Sequence, residues 1–178
     1  MYTNFANLPD TARVWVYQAN RPLLDADVST IQNALQPALE QWAAHGQPLL
    51  ASAQVIENRF VVIGVDEGYN LPSGCSIDAS VRTLQQIGQQ AGIDFFDRSA
   101  AVRGADGLVQ TFALPQIKAA VAAGQIAPDS IIFNTLVKTK AEFLTDWQIL
   151  ASQSWLKRYF GVDTQPSASS PVSAVGHD

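Results

Sequence analysis

Cys75 is the single cysteine of the 178-residue chain and stands in Ser73-Gly-Cys-Ser-Ile-Asp78, where a loop enters a predicted helix. Backbone N–H groups and the helix dipole at such a point favour a thiolate, the nucleophilic form of the side chain. Ser76 suits the N-cap, and Gly74 lets a ligand approach the backbone closely. The backbone from Gly74 to Ile77 would then serve as an anion hole beside the sulfur. Asp78 opposes a negative sulfur, and the competing reading of Cys75 is a small side chain that fills space at a helix start. A cysteine nucleophile also needs a base. His45 is the one histidine ahead of the C-terminal tail. The topology expected below puts it at the other end of the helical layer, so a Cys75–His45 pair is not expected.

Three further places carry groups that recognise ions. Arg21, in Asn20-Arg-Pro22, has a fork of donors that could hold an anion or a carboxylate. Asp66 and Glu67 follow the most apolar predicted strand, where burial could raise a carboxyl pKa and make an acid–base couple. Asn134 with Lys138 and Lys140 precedes a capped helix whose N-terminus attracts anions. Each has a plainer alternative: turn caps, solvated cations, or two carboxylates ending a strand in solvent. Structural zinc needs four nitrogen or sulfur ligands, and Asp66, Glu67 and Asp78 match no calcium-loop spacing. Neither a metal site nor a cofactor is expected.

The elements that must position these residues are legible from periodicity and punctuation. Arg13–Gln18 reads as a first strand. Val28, Ile31, Leu35, Leu39 and Trp42 recur at spacings of three and four and make one helical face, with Asp25 as N-cap and Asp27 in the first turn. Pro37 should kink that helix and Gly46 should end it. Leu49–Ile56 and Phe60–Val65 read as strands around a tight turn at Glu57-Asn58-Arg59. The second of these is apolar enough to be central and covered on both faces. A second helix is expected from about Ile77, with Val81, Leu84, Ile87 and Ala91 inward and Gly92 as its stop. Ser99–Arg103 and Leu108–Phe112 read as a hairpin, Leu114 to Gly124 as a short helix, and Ile131–Asn134 as a strand. Thr139-Lys-Ala-Glu142 is a capping box, and Ser152–Phe160 adds a last helical piece. Trp15, Tyr17, Trp42, Trp147 and Trp155 read as core or interface aromatics.

Strand, helix, strand, strand, helix, strand is the split βαβ order of ferredoxin-like folds. The expected fold is therefore α+β: a ferredoxin-like sheet with an added hairpin strand and C-terminal helices, in one domain over residues 1–160. Residues 161–178 are small and polar and are expected to be a disordered tail.

Apolar residues are 47% of the chain, which supplies a core, while charged residues are only 15%. A surface so weakly charged is compatible with burial in a homodimer, and equally with a compositional habit. The net charge is −5 and the seven Arg and four Lys form no cluster, which argues against nucleic acid as a partner. No apolar run approaches the length needed to span a bilayer, and no signal peptide is read at the N-terminus. With no disulfide available to a lone cysteine, a soluble cytoplasmic protein is expected.

Trp15-Val-Tyr-Gln-Ala-Asn-Arg-Pro-Leu23, His45-Gly46, Val65-Asp-Glu67, Ser73–Asp78 and Phe133-Asn-Thr-Leu-Val-Lys-Thr-Lys-Ala-Glu-Phe143 resemble a family of small Bacteroidetes proteins often labelled "ABC transporter ATPase". The resemblance covers about residues 1 to 160 and implies no catalytic residue. An ATPase of that class needs a glycine-rich loop ending in Gly-Lys-Ser or Gly-Lys-Thr to hold phosphates. No Gly-Lys dipeptide occurs in the chain, so the label's activity is rejected. The leading expectation is a non-enzymatic binding or interaction module. The alternatives are a thiol-dependent enzyme or redox sensor using Cys75, and a small-molecule anion sensor using Arg21 or the loop from Asp66 to Ser76.

Overall fold

The computed structural model describes residues 1–44, 46–66 and 74–161, with the backbone alone at 43, 44 and 74–77. Among the described residues the mixed α/β chain builds four α-helices, two main antiparallel sheets and a small ribbon. The first sheet has the order β1-β5-β4, from strands Arg13–Gln18 (β1), Leu50–Ile56 (β4) and Phe60–Asp66 (β5). β4 and β5 are joined by a turn in which Glu57 and Asn58 both adopt positive φ, 53° and 46°, the twist a tight hairpin demands. β5 is buried from Phe60 to Val65 and fills the centre of this sheet, as its unbroken apolar run predicts.

Alternation along the strands divides two cores. Trp15, Ala51, Val61, Ile63 and Val65 face helices α1 (Asp25–Glu40) and α2 (Gly74–Ala91), meeting Ile31, Leu35, Leu39, Leu84 and Ile87. Val14 and Val62 face the other way, with Val137. The second sheet has the order β7-β6-β8-β9, from Ala100–Arg103 (β6), Val109–Phe112 (β7), Ile131–Phe133 (β8) and Gln148–Leu150 (β9). It packs with α3 (Ile117–Ala122) around Ile117, Ile126, Ile132 and Leu156. An aromatic cluster joins the sheets. Phe60 of β5 lies 5.3 Å from Phe133 of β8 and 4.9 Å from Trp147, which follows α4 (Lys140–Asp146).

Several expectations are corrected. The hairpin is not an added strand of the first sheet: β6 and β7 belong to the second. The expected fourth strand beside β1 does not form among the described residues, where the outer edge of β1 takes single bridges from Phe96 and Thr139. Only the order β1-β5-β4 agrees with the first half of the ferredoxin-like pattern. α1 passes through Pro37 but stops at Glu40, short of Gly46. Residues Ala43–Ala44 (β2) and Gln47–Pro48 (β3) pair instead, and Gly46 (φ +78°) lies in their connection. The Trp42 backbone N–H donates to the Leu39 carbonyl and the Trp42 carbonyl accepts from the Leu49 N–H, closing that ribbon. Asp25 is the first residue of α1 rather than its cap, and Asp27 reaches back to accept the Leu24 N–H at 2.9 Å. α2 begins three residues before Ile77. The last helical piece is a pair of 3-10 turns, and β9 had no sequence signal. Residues 162–178, read as a tail, lie outside the described residues.

Candidate functional site

The segment between α2 and β6 forms one wall of a cleft between the two sheets, and its geometry follows from its sequence. α2 ends at Ala91, and Gly92 after it, with a positive φ of 68°, turns the chain back. Gly88 lets the Ile93 carbonyl approach so closely that a Cβ there would collide with it. Asn20 and Asp94 then pair twice, N–H of Asn20 to the Asp94 carbonyl and N–H of Asp94 to the Asn20 side chain. Asp94 accepts the Phe96 N–H at 2.8 Å, and Asp97 accepts both the N–H and the hydroxyl of Ser99. These two aspartate turns hold the strap 94–99 in one conformation. Phe95 is thereby buried in the first core, while Phe96 stands outward with its ring edge-on to Tyr17, 5.8 Å away.

The cleft has a volume of about 550 Å3, within the range of small-molecule sites. Val16, Tyr17 and Gln18 of β1 form its floor with the strap; Ile132 and Phe133 of β8 and Trp155 stand opposite. Thr135 and Leu136 follow β8 in a turn closed by Asn134, which accepts the Leu136 N–H. Phe96, Leu114 and Leu136 line the same space and are 40%, 45% and 64% exposed. Asp97 and Arg98 are the only charged side chains among the cleft-lining residues. Asp97 is engaged by Ser99 and by the buried amide of Gln18. Arg59, behind the strap, is buried, which pushes its pKa down against the opposing field of Asp97. Burial also raises the Tyr17 pKa, partly offset by its hydrogen bond with Ser80 of α2.

Of the residues singled out by sequence, Arg21, Asp66, Asn134, Lys138 and Lys140 lie among the described residues. Arg21 lies away from the cleft and clamps the end of α2. Its Nη1 donates to Asp27 at 2.8 Å, Nη2 to the Ala91 carbonyl at 2.8 Å, and Nε to the Gly92 carbonyl. The fork that could grip an anion grips a helix terminus and a carboxylate of its own chain. Asp66 ends β5, opposite Leu50, and has a partner of its own. Glu67 and His45 lie outside the described residues, as do the side chains of Cys75 and Ser76, whose backbone, with that of Gly74, belongs to the first turn of α2. Lys140, read with Asn134 and Lys138 as an anion site, is buried and donates to the carbonyls of Ala6 and Leu8 at 3.0 and 2.6 Å. Among the described residues no three His, Cys, Asp or Glu side chains converge on a metal position, and no helix is long and apolar enough to cross a membrane.

Sequence reasoning missed the strap. Its signal is Asp94-Phe-Phe-Asp-Arg-Ser99, two turn-forming aspartates three residues apart that enclose adjacent phenylalanines. No protein-family model, curated protein or solved structure matches this chain.

Proposed function

We infer that the protein is a binding module, not an enzyme, and that its ligand is a small, largely apolar molecule seated in the cleft between the sheets. One observation carries the reading. Phe96, Leu114 and Leu136 come from three separate segments and leave apolar surface exposed around a single aromatic-walled cavity. Isolated exposed apolar side chains are ordinary, but their convergence at one cavity marks a binding surface. Among the cleft-lining polar groups, the Gln18 amide, the Asp97 carboxylate and the Ser99 hydroxyl are engaged with one another in holding the strap. The ferredoxin-like ancestry of the first sheet, and kinship with the small Bacteroidetes proteins that the chain resembles, belong to the same proposal. Neither adds an activity.

The test is titration with the dye 8-anilinonaphthalene-1-sulfonate, whose emission rises in apolar sites. The native protein should bind it saturably, and both Leu136→Asp and Phe96→Ala should weaken binding at least tenfold with the fold intact by circular dichroism. Dye binding equal in both variants and the native protein would sink the reading.

A second reading keeps the thiol-dependent enzyme or redox sensor at Cys75. It is supported by the start of α2 at Gly74, which puts the Cys75 backbone in the first turn, where the dipole favours a thiolate. Alkylation of the folded protein against pH decides it. A midpoint near or below 7, against about 8.5 for an ordinary thiol, supports an activated cysteine. Reaction only after unfolding removes the reading.

A further inference from the structure

Arg98 differs from the arginines around it. Arg21 is held by Asp27 and the end of α2, Arg59 donates to the Ala19 carbonyl and Thr111, and Arg103 bonds Glu57 and Gln148. Arg98 lines the cleft, is exposed, and makes no hydrogen bond or ion pair among the described residues. Its backbone is nevertheless fixed, because it sits between the Asp97 and Ser99 groups that close the second strap turn. Asp97, the neighbouring carboxylate, makes no ion pair with it: Oδ1 accepts from Ser99, Oδ2 accepts from Gln18, and its charge also acts on the buried Arg59. The cleft is therefore an apolar cavity whose lining includes one exposed arginine with no hydrogen bond or ion pair among the described residues, on a segment held by two aspartate turns.

We propose that the ligand of this cleft is an amphipathic monocarboxylate, and that Arg98 holds its carboxylate while the apolar body lies between Phe96, Leu114, Leu136 and Trp155. The proposal rests on the cleft being the binding site. A guanidinium matches a carboxylate with two parallel hydrogen bonds, which a lysine or a neutral donor does not reproduce. One positive charge suits one negative charge. A phosphate would bring a second charge into an apolar cavity with no cation to meet it, at a cost in desolvation. The Thr135 hydroxyl also lines the cavity without a partner among the described residues, and can donate to a second ligand oxygen.

Isothermal titration calorimetry with decanoate and decanol separates the proposal from the reading beneath it. The native protein should bind decanoate at least tenfold more tightly than decanol, and added salt should weaken only decanoate. Arg98→Gln should remove that difference and leave decanol binding unchanged, while Leu136→Asp should weaken both. Equal affinity for the two probes in the native protein, or an unaltered preference in Arg98→Gln, overturns the role of Arg98 and leaves the cleft reading in place. Absence of binding by either probe overturns the proposal. In that case the dye titration with Leu136→Asp and Phe96→Ala decides whether the cleft binds anything.

Discussion

Gln18, the last residue of β1, donates its side-chain amide to the Asp97 carboxylate at 3.3 Å and to the Ser99 carbonyl at 2.9 Å, across 79 and 81 residues of chain. The amide is buried, and the Asp97 N–H returns a bond to the Gln18 carbonyl at 3.2 Å. Gln18, which also lines the cleft, thus fastens the strap to the first sheet through three hydrogen bonds. Replacing Gln18 with Ala strips the part-buried Ser99 carbonyl and the Asp97 carboxylate of a donor, a loss of roughly 1–3 kcal/mol. Urea unfolding should show a loss of this size, accompanied by weaker dye binding. Full stability with full binding would mean that the strap is held by its own turns alone.

The clamp between Arg21 and Asp27 predicts an acid-sensitive contribution. The hydrogen bond from Arg21 holds the Asp27 carboxyl below its ordinary value, helped by the Leu24 N–H. A carboxyl whose pKa is lowered by folding stabilises the protein above the pKa of the unfolded chain. That stability is lost as pH falls through the folded value. Asp27→Asn should therefore melt at a lower temperature than the native protein at pH 7, and the gap should close as pH falls below the ordinary carboxylate range. A gap that is constant across this range would show that the charge on Asp27 does not matter.

Tyr17 predicts the opposite edge of the pH range. Burial raises its pKa, and the bond to Ser80 lowers it less. A phenol whose pKa is raised by folding contributes stability that is complete below the unfolded value near 10. This contribution is lost as pH rises through the folded value. The native protein should lose stability more steeply above about pH 10 than Tyr17→Phe does. Parallel curves for the two proteins would contradict this.

Lys140 joins the N-terminal segment to α4. Its buried ammonium donates to the carbonyls of Ala6 and Leu8 and lies 5.7 Å from the Phe5 ring centroid. Met in its place keeps the apolar stem but leaves both carbonyls without that donor, at roughly 1–3 kcal/mol. Lys140→Met should show faster proteolysis near residues 5–8 and a lower urea midpoint, with dye binding in the distant cleft preserved. Unchanged proteolysis would mean that Phe5 and Leu8 hold the segment by packing alone.

Much of the fold was open to a reading of the residues, for local reasons. The unbroken apolar run Phe60–Val65 can only be a strand covered on both faces. Leu84 and Ile87 fall on one face of any helix, and Gly92 and Gly124, both with positive φ, stop helices where no larger side chain does so cheaply. Thr139 caps α4 by accepting the Glu142 N–H, as its spacing requires, although the Glu142 side chain returns to Lys138 rather than to Thr139.

What the residues could not reveal is which groups meet. Arg21 looked like a free fork because nothing in Asn20-Arg-Pro22 shows that the end of a helix 70 residues away would present the Ala91 carbonyl to it. The second sheet was invisible as a separate body, since β6 and β7 have the same alternation whichever sheet they join. The cleft is made from three stretches, 16–18, 95–101 and 132–136, together with Leu114 and Trp155. No local period links them. Sequence by itself determined the larger elements, β1, α1, β4, β5 and α2, and their inward faces, because burial periodicity and backbone sterics act over a few residues. The tertiary structure alone decided which polar groups are consumed by their own chain and which, like Arg98, line an apolar cavity with no bond among the described residues, because that depends on contacts between segments far apart along the chain.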